Sequence, residues 1–407
     1  MIQTIIVPAT GFISWGGGID YLKYQLNFLV RLHEENPNIT IILLIPKLQF
    51  VENVIQKAKD IIKRFIHRPI INYEKIYLLF ANDNTLKNGI VIRKYYHNKP
   101  HGKGSIVQIS YEYENTIVYL TAKVLQGLSC KQIGYIYDLQ HALMPDFFKQ
   151  KDCESKDKLF KNILAECNGV MVNSKQVKND LLVRYAGDGE KNIAAQIFSF
   201  PCLPIAENDL LQSVDVAKYN LPEKYFMICN QLWMHKDHKT AFQALKILHD
   251  EGYKDICIIC TGVTYDHRNP LYYQELKDYI INSKLNDNIV FLGYIPKIEQ
   301  ITILRKSIGL IQPTLFEGGP GGGASYDAVA YGIPAIVSDI PVNLEMQHEN
   351  VFFFNAGSPL SLAEEMRQLF SNPLNHVSND ELLYETKNNL RNGVAVLKDL
   401  FCTLSES

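Results

Sequence analysis

The sequence has little net charge and no long apolar run. Lys and Arg number 41 against 43 Asp and Glu, so the net charge is only -2 over 407 residues. An almost balanced charge argues against recognition of a nucleic acid through bulk positive charge. The most apolar short stretch, residues 39–46, is far shorter than the ~18 apolar residues that a membrane-spanning helix requires. We therefore expect neither a nucleic-acid partner nor a membrane span.

Cysteine is also sparse. Eight cysteines in a chain of this length are too few for a disulfide scaffold and are typical of reduced, buried thiols. Cys257 and Cys260 form the one C-x-x-C, but they lie in an apolar predicted strand, where residues three apart point to opposite faces. The first residues lack a basic lead and a small-residue cleavage site, so we interpret them as a strand and expect a cytoplasmic protein.

Several catalytic motifs are missing. The sequence contains no H-E-x-x-H, no G-x-S-x-G and no G-x-x-x-x-G-K-[ST]. It also has no Asp-x-Asp pair of the kind that holds a divalent ion on a diphosphate in metal-dependent sugar transfer. We therefore expect no metal and no cofactor.

Short apolar runs alternate with segments of helical period along the whole chain, a pattern typical of parallel sheets with helical crossovers. In the first half we predict strands at 4–8, 39–45, 75–80, 106–109, 134–138, 169–173 and 196–198, and helices at 18–32, 52–67, 114–125 and after Ser174. In the second half we predict strands at 225–229, 255–260, 289–292, 308–312 and 335–337, and helices at 239–248, 271–282 and 325–331. The predicted fold class is α/β, with two Rossmann-like, doubly wound domains.

The domain boundary is predicted where the periodicity fades, in the proline-containing stretch 199–222. Residues 1–205 then form the first Rossmann-like domain and residues 206–385 the second. Residues 386–407 form a C-terminal helix that can cross back to the first domain. With two sheets facing each other, the cleft between them is the expected active site.

The densest signal is a glycine-rich loop between a strand and a helix, residues 313–334. The strand ends near Glu317, and Asp327 lies in the helix that follows. Between them the candidate ligand contacts are Gly319, Gly321, Gly322, Gly323 and Ala324. Glycines let the backbone approach a ligand, and a helix start offers unpaired N–H groups to an anion. Because the carboxylates can also accept bonds from vicinal hydroxyls, a nucleotide sugar is the predicted ligand, with a flexible turn as the alternative.

This segment resembles the signature of the retaining glycosyltransferases of family 4, the group 1 glycosyl transferases, which have the GT-B fold. Nine residues separate Glu317 from Asp327, two more than is usual in the family, and the second acid is Asp instead of Glu. The match continues through residues 327–339. The resemblance implies that Glu317 and the loop hold the sugar and the diphosphate, and that Asp327 holds the ribose. It also assigns the donor to the second domain and the acceptor side to the first.

Residues 230–238 resemble the family's Gly-Arg then Lys motif for the donor diphosphate. Lys236 is then the cation that neutralises the leaving diphosphate. Gln231 takes the arginine position, where it donates hydrogen bonds without a charge. His235 and His238 are interpreted as exposed residues of a helix N-terminal turn, because a third metal ligand is missing.

Two glycine-containing segments match the family more weakly. Gly17 and Gly18 precede the first predicted helix and resemble the glycine pair that lets the donor phosphates approach, although a tight turn explains them as well. Gly293, Tyr294 and Ile295 resemble the element that receives the nucleotide base, and an ordinary strand followed by a proline turn explains them equally.

Asp138 and His141 follow a predicted strand at the place where the family has a histidine, or a His-Asp pair, near the sugar. Asp138 can orient a sugar or acceptor hydroxyl, and His141 can do the same or move a proton near neutral pH. Alternatively, Asp138 caps the following turn and His141 is a packed core histidine.

Two basic segments of the first half, 52–67 and 93–103, bear on the acceptor. The first is predicted as a helix that covers a sheet. The second mixes cations with aromatic residues, as membrane-surface binders do, or forms a solvated loop. The segments favour a lipid-linked acceptor and a peripheral position at the inner face of the membrane.

The sequence thus predicts a retaining hexosyltransferase that moves a sugar from a UDP- or GDP-sugar to a hydroxyl of a glycan or lipid-linked glycan. The resemblance implies bacterial surface polysaccharide synthesis, either O-antigen or capsule, and front-side attack. The candidate catalytic residues are Asp138, His141, Lys236 and Glu317. The alternatives are a nucleotide-sugar 2-epimerase on the same fold and a non-catalytic nucleotide-sugar-binding subunit.

Overall fold

The first half of the chain builds one parallel sheet of seven strands. The structure, a computed structural model, describes residues 2–13, 16–47, 71–96, 104–185, 196–266, 268–374 and 377–406. The strands are β1 (Thr4–Pro8), β2 (Thr40–Lys47), β3 (Ile90–Tyr96), β4 (Thr116–Thr121), β5 (Lys131–Tyr135), β6 (Gly169–Val172) and β7 (Ile197–Ser199). They lie in the order β3-β2-β1-β4-β5-β6-β7. The helices are α1 (Gly16–Glu35), α2 (Tyr73–Ala81), α3 (Ile106–Ser110), α4 (Gln140–Leu143), α5 (Gln150–Glu166) and α6 (Lys175–Tyr185).

The second half builds a parallel sheet of six strands. These are β8 (Tyr225–Cys229), β9 (Cys257–Thr261), β10 (Ile289–Gly293), β11 (Gly309–Gln312), β12 (Ala335–Ser338) and β13 (Val351–Phe354), in the order β10-β9-β8-β11-β12-β13. The helices are α7 (His238–Asp250), α8 (Tyr272–Asn282), α9 (Lys297–Leu304), α10 (Gly322–Ala330), α11 (Pro359–Ser371) and α12 (Asn379–Glu406). The predicted α/β class with two doubly wound sheets is confirmed.

Both sheets have a point where the direction of strand succession reverses. In the first sheet it lies between β1 and β4, and in the second between β8 and β11. Chain connections leave such neighbouring strands in opposite directions, which opens a crevice at their carboxyl ends where ligands bind. The loops after β8 and β11 are therefore the parts of the second sheet that the fold places at this crevice.

Three elements of the first half differ from the prediction. Residues 75–80 are not a strand but lie in α2, where the side chain of Asn72 caps the helix by accepting from Lys75 N at 3.0 Å. Residues 106–109 lie in α3, which Ser105 caps in the same way. The predicted helix 114–125 instead contains β4, whose residues are all buried. Short apolar runs do not separate strand from helix by periodicity alone, and caps decide the outcome here.

The sequence reasoning missed two edge strands, β3 and β13. In β3 the charged pair Arg93 and Lys94 interrupts the apolar run, and only two of its residues are buried. β13 is an apolar run of only four residues, VFFF, which is too short for its periodicity to identify a strand. The predicted helix 52–67 lies outside the described residues. Cys257 and Cys260 are buried free thiols in β9, as predicted. None of the helices in the described ranges has the length and apolar composition of a membrane span.

The last helix connects the two cores. α12 begins at Asn379, earlier than the predicted residue 386. Leu382, near its start, packs in a core cluster of the second sheet, whereas Leu397 and Phe401 pack in the core of the first. Lys398 also donates a hydrogen bond to Glu35 of α1 at 2.8 Å. The C-terminal helix thus returns to the first half of the chain.

Candidate active site

The loops after β8 and β11 are joined to each other. We call residues 230–237 the lysine loop and residues 313–321 the glycine loop. Leu315 N donates a hydrogen bond to His235 O at 2.8 Å, and Asn230 Nδ2 donates to Gln312 Oε1 at 2.6 Å. Because β8 and β11 are neighbours in the sheet, these bonds hold the two loops side by side at its carboxyl edge.

Lys236 and Glu317 form an ion pair at this edge. Lys236 Nζ donates a hydrogen bond to Glu317 Oε1, and the same oxygen accepts from Gln312 Nε2 at 3.0 Å. The two side chains are only 13% and 11% exposed, so water screens their charges less than it would at the surface. The structure therefore brings together the cation and the carboxylate that the sequence placed in two separate motifs.

The glycine loop leads directly into α10. The helix begins at Gly322, three residues before the predicted start, so Gly322, Gly323 and Ala324 form its first turn. Gly321 precedes it in the left-handed conformation, with φ 62°, and no side chain caps the helix. Around Gly323 a Cβ would meet no atom within 4 Å. Gly322 N donates to Gly319 O at 3.2 Å, so the amides of Gly323 and Ala324 are the ones that this uncapped helix start can offer to a phosphate.

The glycine loop also touches the first half of the chain. A Cβ on Gly318 would lie 2.2 Å from Tyr137 O and 2.8 Å from Asp138 Cβ. Ser174 Oγ donates to Gly318 O at 3.4 Å. Only glycine therefore fits at position 318, where the loop meets the residues that follow β5 and β6. The candidate site lies in the cleft between the two sheets.

Asp138 faces the glycine loop and also stabilises its own turn. Its Oδ1 accepts a hydrogen bond from Gln140 N at 3.0 Å. Burial raises the pKa of this carboxyl, although the charge of Lys156 acts in the opposite direction. Asp138 therefore caps the following turn, which is one of the two roles considered from the sequence. Its position next to Gly318 is also compatible with the other role, orienting a hydroxyl of a ligand.

His141 is packed inside the first half of the chain. Its side chain is buried, and Nε2 donates to Asp157 Oδ1 at 3.1 Å, since a carboxylate only accepts. The ring lies edge-on against Phe160. Burial lowers the pKa of His141, and the bond to Asp157 opposes that shift. Of the two interpretations of His141, its hydrogen bond and ring contacts fit the packed core histidine.

Asp327 pairs with a lysine that the sequence reasoning missed. Lys297, the first residue of α9, donates to Asp327 Oδ2. Burial raises the pKa of Asp327, and the ammonium of Lys297 opposes that rise. Burial also disfavours the charge of Lys297, but the carboxylates of Asp327 and Asp20 outweigh it and raise the pKa of the lysine. Lys297 lies two residues after the predicted base-binding segment, but no local pattern pairs it with Asp327, 30 residues further along the chain.

Two further glycine-containing segments lie at the start of α1 and at the end of β10. Gly17 and Gly18 were predicted to precede the first helix. Because α1 starts at Gly16, they lie inside its first turn instead. Gly293 ends β10 in the left-handed conformation, with φ 66°, which favours glycine. Tyr294 after it is 82% exposed and Ile295 is buried.

The prediction that His235 and His238 are exposed is wrong. Both side chains are buried. The ring of His235 packs against Trp233 and Phe147, and that of His238 packs against Phe242 of α7. Burial lowers the pKa of His235 to about 2 and that of His238 to about 3, so both rings are neutral. Within the described ranges no three His, Cys, Asp or Glu side chains come together as metal ligands. That the chain works without a metal stays a prediction.

Gln231 belongs to the lysine loop and is half-buried. Its carbonyl accepts from Trp233 N at 2.7 Å. In the basic segment 93–103 the first two cations are paired, Arg93 with Glu112 and Lys94 with Glu74, both at 2.8 Å. Residues 97–103 lie outside the described part of the chain. The two cations that are described in this segment are therefore engaged within the protein.

Comparison with known proteins identifies the second half of the chain. Residues 213–391 match the family model described as Glycosyl transferases group 1. This stretch of the chain is therefore similar to the group 1 glycosyl transferases. The predicted resemblance to this group is confirmed, and the match includes the lysine loop, the glycine loop and α10.

A curated relative and solved structures are also similar to this chain. Over 220 residues the chain is 25% identical to the O-antigen chain mannosyltransferase RfbU of Salmonella typhimurium, covering 54% of this chain and 55% of the relative. The chain thus matches about half the length of that curated relative. Anabaena Alr3699/HepE, solved with UDP and glucose, has a TM-score of 0.60 at 13% identity, with 100% of both chains covered. A glycosyltransferase from Rickettsia africae has a TM-score of 0.60 at 15% identity, with 100% of this chain and 99% of that one covered. The fold is GT-B.

Proposed function

We propose that the chain transfers a hexose-type sugar from a UDP- or GDP-sugar to a hydroxyl group of a glycan or lipid-linked glycan. The observation that carries this proposal is the Lys236–Glu317 pair beside the uncapped start of α10, in the cleft between the sheets. The group 1 domain supports a glycosyl transfer reaction. The similarity to an O-antigen mannosyltransferase supports a place in surface polysaccharide synthesis.

Each part of the site has a role in this proposal. The amides of Gly323 and Ala324 donate to the diphosphate, which the dipole of α10 also stabilises. Glu317 accepts bonds from sugar hydroxyls, and Asp327 accepts bonds from the ribose hydroxyls. The backbone of residues 293–295 receives the base. Asp138, opposite the glycine loop, orients a hydroxyl of the sugar or of the acceptor.

The proposed reaction retains the configuration at the anomeric carbon. The acceptor oxygen attacks that carbon from the face that the diphosphate leaves, and its bond to carbon forms as the bond from carbon to the phosphate oxygen breaks. The departing oxygen takes the electron pair of the broken bond and the proton of the acceptor hydroxyl. Lys236 stabilises the negative charge on that oxygen, so no metal and no strong protein base are required.

An acceptor on a lipid carrier would bring the protein to a membrane surface. We therefore propose a cytoplasmic protein that is peripheral at the inner face of the membrane. The support comes from the basic composition of segment 52–67 and from Lys99 and Lys103 of segment 93–103, since Arg93 and Lys94 are paired within the protein. Binding to vesicles of anionic lipid, compared with vesicles of neutral lipid, tests this part separately from the reaction.

The experiment that tests the function is a donor panel. The protein is incubated with UDP- and GDP-sugars, with and without lipid-linked glycan, and the nucleotide and sugar products are separated. Transfer predicts free nucleotide together with a glycosylated acceptor. A new sugar isomer would instead identify an epimerase, and binding without turnover would identify a silent subunit. Thermal shift with UDP and GDP selects the donor base first, because at equal concentration the nucleotide with the lower Kd raises the stability of the protein more.

A further inference from the structure

Arg268 lies across the cleft between the two halves of the chain. It follows β9 and is only 10% exposed at its side chain. The guanidinium carbon is 4.8 Å from the ring centre of Trp233, in the lysine loop, and 5.6 Å from that of Phe147, in the first half. Aromatic faces on a cation hold it in place without consuming its N–H groups. Arg268 is thus a buried cation in the cleft that contacts aromatic residues of both halves of the chain.

The hydrogen bonds of Arg268 leave part of its donor set available. Nε donates to Asp266 Oδ1 at 3.1 Å, Nη1 to Gln140 Oε1 at 3.2 Å and Nη2 to His235 Nδ1 at 3.2 Å. A guanidinium has five N–H groups, so the bonds within the described ranges account for three of them. One N–H group remains on Nη1 and one on Nη2, and N–H groups of a guanidinium are strong donors to phosphate oxygens.

Asp266 fixes this arginine to the lysine loop. Its side chain is fully buried, and besides Arg268 it accepts from Met234 N at 3.2 Å. The carboxylate binds Arg268 through Nε, at one side of the guanidinium, which leaves the other edge for further contacts. The loop after β9 and the lysine loop therefore form one unit that carries two cations, Arg268 and Lys236.

The neutral ring of His235 separates those two cations. Its pKa is lowered by burial first and then by the charges of Lys236 and Arg268. Because a guanidinium only donates, Nδ1 of His235 must accept, and the proton of the ring is on Nε2. The imidazole thus takes part as a neutral acceptor that orients Arg268.

We propose that Arg268 is the second cation that binds the donor diphosphate, donating its two remaining N–H groups to phosphate oxygens beside Lys236. This inference rests on the proposed function. Gln231 in the same loop brings no charge, and Lys236 already shares its charge with Glu317. A planar guanidinium on an adjoining loop supplies what a diphosphate binds best, two parallel charge-assisted hydrogen bonds.

The test compares nucleotides that differ only in their phosphates. Binding of UDP, UMP and uridine, and of the guanine series, is measured by calorimetry for the full chain and for Arg268→Gln. We expect the affinity for the diphosphate to fall about 10-fold to 100-fold, and that for the nucleoside to stay unchanged. Gln231→Arg in the Arg268→Gln background should restore part of the loss. Arg367→Gln, which removes a surface ion pair with Glu251, is the control.

Two results would overturn the inference while leaving the proposed function in place. One is a variant that binds the diphosphate as tightly as the unaltered protein. The other is an equal loss for diphosphate and nucleoside, which would make Arg268 a packing residue of the cleft. If Arg268→Gln does not fold, Arg268→Lys answers the same question, since it keeps the charge and loses the paired geometry. An unaltered protein that binds no nucleotide would instead remove the proposed function, and this inference with it.

Discussion

Lys236 donates a hydrogen bond to Glu317, a carboxylate 81 residues further along the chain. The pair is nearly buried and shares its acceptor oxygen with the amide of Gln312. A cation held in this way needs no rearrangement when negative charge develops on a departing oxygen, and such preorganised charge is the main source of electrostatic catalysis. The relationship between these two residues is therefore the centre of the proposed reaction.

Replacing Lys236 by alanine should affect the rate more than the binding of the donor. A group that acts mainly in the transition state lowers kcat by about 100-fold to 1000-fold when it is lost, and leaves the ground-state affinity within about 10-fold. Single-turnover rates and calorimetric Kd values measure the two effects separately. Lys239→Ala, at an exposed position of α7, is the matched control. Equal losses in rate and affinity would contradict the role given to Lys236.

Gly318→Ala should lower the free energy of unfolding. Its new methyl group would lie 2.2 Å from Tyr137 O, so the glycine loop has to shift, at a cost of about 1–3 kcal/mol by analogy with overpacked cores. Gly323→Ala is the control, because its methyl group would meet no atom within 4 Å. Urea denaturation gives both free energies of unfolding. Equal stability of the two variants would show that the loop does not pack against the first half as described.

A short turn links the glycine loop to the first half of the chain. The side chain of Asn343 accepts from Gly321 N at 2.7 Å. Two residues later Glu345 accepts from Lys175 N at 2.9 Å and from Gln176 N at 2.7 Å, at the start of α6. A carboxylate on a helix N-terminus is stabilised by the dipole of the helix. One turn therefore holds the glycine loop and a helix of the first half together.

Glu345→Ala should loosen this contact and populate more open arrangements of the two halves. Small-angle X-ray scattering measures the change as a larger radius of gyration, and the transfer rate should fall with it. Glu349→Ala removes an exposed carboxylate four residues away and serves as the control. Scattering profiles that are identical for the two variants would show that Glu345 does not hold the halves together.

The sequence predicted the fold well where the signal is local. Central parallel strands such as β8 and β12 are continuous apolar runs, and the α10 region is marked by its glycines. Contacts between distant segments had no such signal. The Lys297–Asp327 pair joins residues 30 apart, and the position of Arg268 depends on three loops that only the folded sheets bring together. For α2, the cap Asn72 was the one local signal that would have distinguished a helix from the predicted strand.

Acid should destabilise the protein through its buried histidines. His238 has a pKa of about 3 when folded, against about 6.5 for an unperturbed histidine. Between these values the unfolded state binds a proton that the folded state does not, so stability falls as the pH is lowered below about 6.5. The expected slope for one histidine is about 1.4 kcal/mol per pH unit.

His238→Leu should reduce the slope of stability against pH by the contribution of one proton. The free energy of unfolding, measured in urea from pH 5 to pH 8, then falls less steeply toward acid than in the unaltered protein. The slope is the readout, because the substitution can also change stability equally at every pH. Parallel curves for the two proteins would mean that His238 is not a neutral, buried ring in the folded state.

The central claim is that the start of α10 and Lys236 bind a diphosphate. Crystals soaked with UDP and with GDP test it most directly. The account predicts phosphate density within hydrogen-bond distance of the Gly323 and Ala324 amides, with the terminal phosphate next to Lys236 and the ribose next to Asp327. A nucleotide bound at another place, with the glycine loop and Lys236 untouched, would contradict it.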